Sequence, residues 1–163
     1  MTRKIRYLVL GCCLLGGVLS ALSLHNHYST SATEYCDLSA TFNCDLVNRS
    51  AYARVFDVPV ALLGLLGYLL LFALSLRPGR ALAVIRFVAA FIGLSFALYL
   101  AYIEAYILAV WCLLCIGSLA AISAITLVSG IGVRQAWTPA AAAPQAREVR
   151  PELPNRVGTQ EYF

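Results

Sequence analysis

The stretch Tyr106-Ile107-Leu108-Ala109-Val110-Trp111-Cys112-Leu113-Leu114-Cys115-Ile116-Gly117 decides how this chain is read. It sets a C-x-x-C pair inside an apolar run. On a helix, positions i and i+3 share one face. C-x-x-C is a redox or metal signature, and in soluble proteins it sits near an exposed helix start. Here its surroundings are lipid-like. Whatever exchanges electrons with this pair works at or just inside a bilayer, which points to a lipid-soluble partner on one side and a thiol source on the other.

Composition agrees. The 163 residues are 61% hydrophobic and 12% charged, against about 45–50% and about 25% in a soluble domain. The expected fold is an all-α membrane bundle of four transmembrane helices, because in lipid every backbone polar group must be satisfied within the span. The charge of +4 is scattered and forms no basic face, which argues against nucleic-acid binding.

Outward from the C-x-x-C stretch, hydropathy and charge place spans at about 7–24, 58–76, 81–103 and 106–130, with an outer loop at 25–57. Together, residues 1–134 form the expected four-helix domain. The first span has a rival reading as a signal peptide, with Ala21-Leu22-Ser23 as its cleavage site, but its apolar run is long for that. The tail 135–163 is rich in Ala, Pro and charge, and reads as a disordered cytoplasmic segment. Arg3, Lys4, Arg6, Arg77, Arg80 and Arg134 fall on one side of this arrangement. The positive-inside rule then puts both termini in the cytoplasm. The cysteine-bearing loop faces the oxidising side, where disulfides persist. Arg86, near the cytoplasmic end of the third span, is expected to snorkel to the interface.

Six cysteines fall into three groups. Cys36 and Cys44 are on the outer loop, Cys112 and Cys115 on the fourth span, and Cys12 and Cys13 in the first span, where cysteine reads as a small apolar residue. If the fourth helix starts near Tyr106, Cys112 lies six residues in, ~9 Å deep. That depth is within reach of the loop, and four thiols then converge at one boundary. Thiol–disulfide exchange there would let a loop pair meet a soluble protein and a fixed pair meet a membrane quinone, which takes the two electrons a dithiol gives. A helix start would favour the Cys112 thiolate, but six residues in, the benefit is small. The alternative is a non-enzymatic four-span protein whose four cysteines hold a structural zinc; seven residues between the loop cysteines is unusual spacing for that. His25 and His27 read as exposed, with nothing near them to complete a metal site. Tyr99, Tyr102 and Tyr106 suit an aromatic belt. Glu104 reads either as a proton relay or as the marker of an exposed turn.

Taken together, several stretches resemble the vitamin K epoxide reductase family in its bacterial branch. They are Cys36-Asp37-Leu38 with Cys44, Ser50-Ala51-Tyr52-Ala53, Pro59 to Tyr68, and Trp111 to Cys115. The resemblance implies a four-helix bundle around a quinone, ubiquinone or menaquinone, and a short interfacial helix in the outer loop. That helix is expected over Ser50 to Phe56, with Ser50 at its cap. By the family pattern Cys36 meets a thioredoxin-like (DsbA-like) protein, Cys44 attacks Cys112, and Cys115 stands next to the quinone. Ser50 matches a supporting serine of the family, though a plain cap explains it equally. Two positions depart from the vertebrate pattern. Leu119 stands where vertebrate members have a tyrosine, and Val60 aligns with their asparagine. These two and Cys115 are the candidate quinone contacts, and the loss of the polar groups argues against epoxide reduction. Many bacterial relatives carry a fused thioredoxin-like domain; the tail here is too short for one, so the partner is expected to be a separate chain. The reading is a membrane thiol oxidoreductase of the bacterial inner membrane that re-oxidises a disulfide-forming partner. Its rival within the family is a vitamin K quinone or epoxide reductase.

Overall fold

The computed structural model describes residues 3–29 and 41–137. The chain runs through α1 (Arg3–Tyr28), a short α2 (Cys44–Arg49), a 3-10 turn (Ala51–Ala53), β1 (Arg54–Val55), β2 (Val58–Pro59), α3 (Val60–Leu76), α4 (Arg80–Ile103) and α5 (Leu113–Trp137). A π-helical turn, Glu104–Leu108, prolongs α4. Helix α1 packs on α3 and α5, and α4 packs on α5 and α3, so the four long helices close a ring. Three segments, Ile5–Tyr28, Arg80–Leu108 and Leu113–Gln135, are long and apolar enough to cross a membrane, and Val60–Leu76 is a shorter apolar helix. Seventeen residues at ~1.5 Å each give ~26 Å, the low end of what a bilayer core of about 30 Å accepts.

Local chemistry explains the boundaries. Pro78 disfavours α geometry at the residue before it, and Arg77 is extended, ending α3. At the other end of α4, Ala109 sits in the left-handed region with φ 52° and turns the chain back. The fourth long helix therefore begins at Leu113, not near Tyr106. Tyr106 belongs to the π turn of the preceding helix. Helix α5 continues to Trp137, so residues 135–137, expected in the tail, are helical; residues 138–163 lie outside the described residues.

In lipid, apolar surface gains little by leaving its solvent, so helix association rests on close packing and small residues. Val9, Cys13, Tyr68, Leu71, Ala90, Ala121, Ile122 and Ile125 form the inner core. A Cβ on Gly16 would run into the Tyr68 ring, and one on Gly117 would meet Leu19 Cδ1 at 2.9 Å. Leu14, Leu66, Phe91, Ile92, Leu127 and Ile131 point outward, as lipid contact requires. Tyr99, Tyr102 and Tyr106 are exposed as well, with the last two rings 4.8 Å apart. Thr126 Oγ1 donates across to the Ala90 carbonyl of α4, at 3.2 Å.

Arg86 does not snorkel. It is 4% exposed and turns into the bundle, where its Nε donates to Ser129 Oγ at 3.2 Å. A hydroxyl on the neighbouring helix gives the guanidinium a buried partner, which the composition of its own span does not reveal.

Gly16→Leu should lower the unfolding midpoint in detergent by several degrees, since forcing atoms into a packed contact costs about 1–3 kcal/mol. Gly11→Leu, with nothing within 4 Å of its added Cβ, should leave the midpoint unchanged. Thermal unfolding of both variants checks the pair.

Candidate redox site

The site is built where the loop between α1 and α3 meets the turn between α4 and α5. Trp111 N–H donates to the Thr41 carbonyl at 2.8 Å, and Asn43 N–H donates to the Trp111 carbonyl at 3.1 Å. These bonds make a parallel bridge between Phe42 and Trp111. Asn43 then caps α2, its Oδ1 accepting from Leu46 N–H at 2.7 Å, as a helix N-cap should. The short helix of the loop thus runs from Cys44 to Arg49 and precedes Ser50, where the expectation was Ser50 to Phe56. Ser50 closes it: its Oγ donates to the Val47 carbonyl at 2.8 Å. After the 3-10 turn, the chain reverses in a tight hairpin with Phe56 and Asp57 at positive φ.

This arrangement brings two sulfurs together across 68 residues of chain. Cys112 Sγ lies 3.3 Å from Cys44 Sγ, and both residues are fully buried. Cys44 is disulfide-bonded, while Cys112 and Cys115 are free thiols. Cys36 lies outside the described residues. Cys44, Cys112, Val47, Val110 and Leu114 form a cluster of their own, with Cys115, Leu19 and Leu108 packed on it.

Cys112 sits immediately before α5, and its carbonyl accepts from Ile116 N–H at 3.0 Å. It therefore occupies the N-terminal position at which the helix dipole and free N–H groups favour a thiolate. The small benefit expected from a start at Tyr106 becomes a direct one. The Cys112 thiol is held below its ordinary value, first by the hydrogen bond from the Cys115 thiol and further by the Cys115 and Leu114 peptide groups, against burial and the nearby Glu104.

Glu104 is not at an exposed turn. It is 3% exposed, and its Oε2 accepts from Cys112 N–H at 3.1 Å. The Cys115 thiol interacts with the same carboxyl.

Beneath the thiols lies a cavity of about 390 Å³ with mainly apolar walls. Its lining includes Cys115, Glu104, Ser50, Val60, Leu119 and Tyr68. Val60 and Leu119 contribute only hydrocarbon. Tyr68 Oη donates to the Ser118 carbonyl at 2.8 Å. At the rim, Ser23 Oγ donates to Asn48 Oδ1 at 2.6 Å, and His27 Nδ1 donates to the Asn48 carbonyl at 2.6 Å. Arg54 Nε donates to His27 Nε2 at 3.3 Å, so the ring carries its proton on Nδ1. Asn48 Nδ2 has no hydrogen-bond partner among the described residues. Reading the chain by its cysteines passes over this polar rim. Its trace in the sequence is Ser20, Ser23 and Asn26, three apart in an apolar run and all buried.

A ring of apolar helices, two sulfur groups meeting at one end and an apolar cavity beside them fit a multi-pass membrane oxidoreductase. The family model described as the vitamin K epoxide reductase family matches residues 7–129. The chain belongs to that family, whose members are membrane oxidoreductases.

Removing Cys115 leaves Cys112 free to attack the disulfide at Cys44 and removes the thiol that would resolve the product on the C-x-x-C side, so only the thiolate expelled from Cys44 can reverse it. Cys115→Ala should therefore accumulate a Cys44–Cys112 disulfide, read by non-reducing digestion and mass spectrometry; its absence under oxidising conditions would separate the two sulfurs functionally. Because the thiolate is the attacking form, its lowered pKa extends trapping to lower pH. Cys115→Ser keeps a donor to Cys112, so its trapping should persist to lower pH than that of Cys115→Ala.

Proposed function

We propose that this protein re-oxidises a separate thioredoxin-like, disulfide-forming protein and passes the electrons to a membrane quinone. The observation that carries this reading is the 3.3 Å approach of the free Cys112 sulfur to the disulfide-bonded sulfur of Cys44, above the cavity that Cys115 lines.

In this reading Cys36 and Cys44 form the loop pair, and the partner delivers two electrons to it. The Cys44 thiolate attacks Cys112 of the oxidised C-x-x-C pair; the Cys112–Cys115 bond breaks and Cys115 leaves as thiolate. Cys36 then attacks Cys44, which restores the loop disulfide and frees Cys112. The end point is a loop disulfide beside a C-x-x-C dithiol. That is the state of the described cysteines, with Cys44 bonded and Cys112 and Cys115 free. The helix-start position of Cys112 makes it the better leaving thiolate in the second step.

The cavity fits a quinone. Its volume falls in the range of ligand sites, about 300–1,000 Å³, and its few polar groups stand near the thiols. Cys115 would face the acceptor, with Ser50, Val60 and Leu119 among the wall residues that hold it. A quinone, ubiquinone or menaquinone, supplies a lipid-soluble sink for two electrons and two protons. Hydrocarbon at Val60 and Leu119 supports simple quinone reduction over vitamin K epoxide reduction. The disulfide at Cys44 weighs against the zinc alternative, because a metal ligand must be a thiolate. The basic residues at the chain's inner turns and termini, and a loop that holds a disulfide, support a bacterial inner membrane with both termini in the cytoplasm.

Incubating Cys44→Ala in detergent with the oxidised form of a thioredoxin-like donor, whose disulfide the Cys36 thiolate can attack with release of one donor thiolate, should trap a mixed disulfide through Cys36. Replacing any of Cys36, Cys44, Cys112 or Cys115 should reduce donor-dependent quinone reduction to background, followed spectrophotometrically. Undiminished rates in all four variants would sink the relay.

A further inference from the structure

The thiol relay leaves one buried titratable group unexplained. Glu104 is held by three features at once: the π turn that it opens, the Cys112 N–H that its Oε2 accepts, and the Cys115 thiol beside it. A hydrogen-bond cap alone does not need a carboxyl, since a neutral acceptor such as glutamine would serve the Cys112 N–H. Single π turns in helices are frequent at functional sites. Here the turn carries Glu104 to the wall of the cavity that Cys115 also lines, with its carboxyl in contact with the Cys112 amide and the Cys115 thiol.

We propose that Glu104 is the proton carrier of the C-x-x-C pair, taking the proton of the Cys115 thiol as the pair is oxidised and handing it to the acceptor in the cavity. This rests on the quinone reading above. Oxidation forms the Cys112–Cys115 bond, removes both thiol protons and releases two electrons. Reduction of a quinone takes up those two electrons and two protons, one on each oxygen. Glu104 accepts the Cys115 proton as carboxylate, becomes a carboxylic acid, and returns to carboxylate when it gives the proton up. The Cys112 proton is lost to solvent at the outer rim when its thiolate forms, and solvent returns one in its place. Cys115 and Cys112 are the titratable groups that act on Glu104 directly. From α1 and α3, His27 and Tyr68 line the same cavity.

Two measurements on the purified full chain test this. The first uses Cys36→Ala/Cys44→Ala protein without quinone, cycling the remaining pair in a dithiothreitol redox buffer. The infrared difference spectrum should carry a carboxyl band that Glu104→Gln abolishes, and the pH dependence of the pair's potential should lose a break in the same variant. The second is single-turnover reduction of a short-chain quinone by the four-cysteine protein. Glu104→Gln, which keeps an acceptor for Cys112 N–H, should slow it on the order of 10²-fold, the scale of lost general acid–base help, and Glu104→Asp should recover part of the rate. If Glu104→Gln does not fold, a band shift in Glu104→Asp replaces its loss as the readout. No carboxyl band, or a wild-type rate and pH profile in Glu104→Gln, overturns the assignment. A carboxyl band in a protein that reduces no quinone supports Glu104 as the proton acceptor and overturns the acceptor reading of the preceding section instead.

Discussion

Two backbone hydrogen bonds between the loop that follows α1 and Trp111 hold the whole site together. Cys44 and Cys112 are 68 residues apart in the chain, and nothing in either local segment brings them into contact. The bridge lays Phe42 beside Trp111 just before each cysteine. Asn43 then starts α2 and places Cys44 at its first turn, while α5 starts one residue after Cys112. Each hydrogen bond contributes about 0.5–1.5 kcal/mol net. Such a tie positions the sulfurs without locking them.

The stretch between α4 and α5 shows how a membrane protein tolerates irregular backbone. Groups unpaired in hydrocarbon cost several kcal/mol each, so a break in the helix must be accounted for bond by bond. The Ala109 and Val110 amides both reach the Glu104 carbonyl, the Trp111 amide reaches Thr41, and the Cys112 amide reaches the Glu104 carboxyl. One residue, Glu104, supplies three of these four acceptor contacts through its main chain and side chain. The left-handed Ala109 costs about 1–3 kcal/mol, and what it accomplishes is to set a new helix start at the C-x-x-C pair.

That new start separates what was legible in the sequence from what was not. Run length and charge located four apolar segments, and the cysteine pattern with Pro59 to Tyr68 pointed to the family, because those signals are local. The helix at Cys112 was misplaced by about two turns. Tyr106 to Gly130 is continuously apolar, and hydropathy carries no mark of a π turn followed by a reversal. The loop helix was shifted for a related reason: Ser50 has the right chemistry for an N-cap, but Asn43, tied by its neighbours to Trp111, takes that role first. Arg86 was expected to snorkel and Glu104 to be either a proton relay or the marker of an exposed turn, since their partners, Ser129 and the Cys112 amide, lie on the next helix or beyond the next turn.

By itself the sequence determined that this chain is a membrane bundle with thiols at one boundary. Lipid leaves helices as the default for an apolar run, and basic residues mark its ends. The family resemblance already implied that Cys44 meets Cys112; only the tertiary structure decided how a loop bridge brings them to 3.3 Å, where Cys112 gains a helix start, and that Glu104 is buried beside the pair. The first depends on hydrogen bonds between segments distant in the chain, and the others on a turn and a backbone reversal, to which composition within a segment is blind.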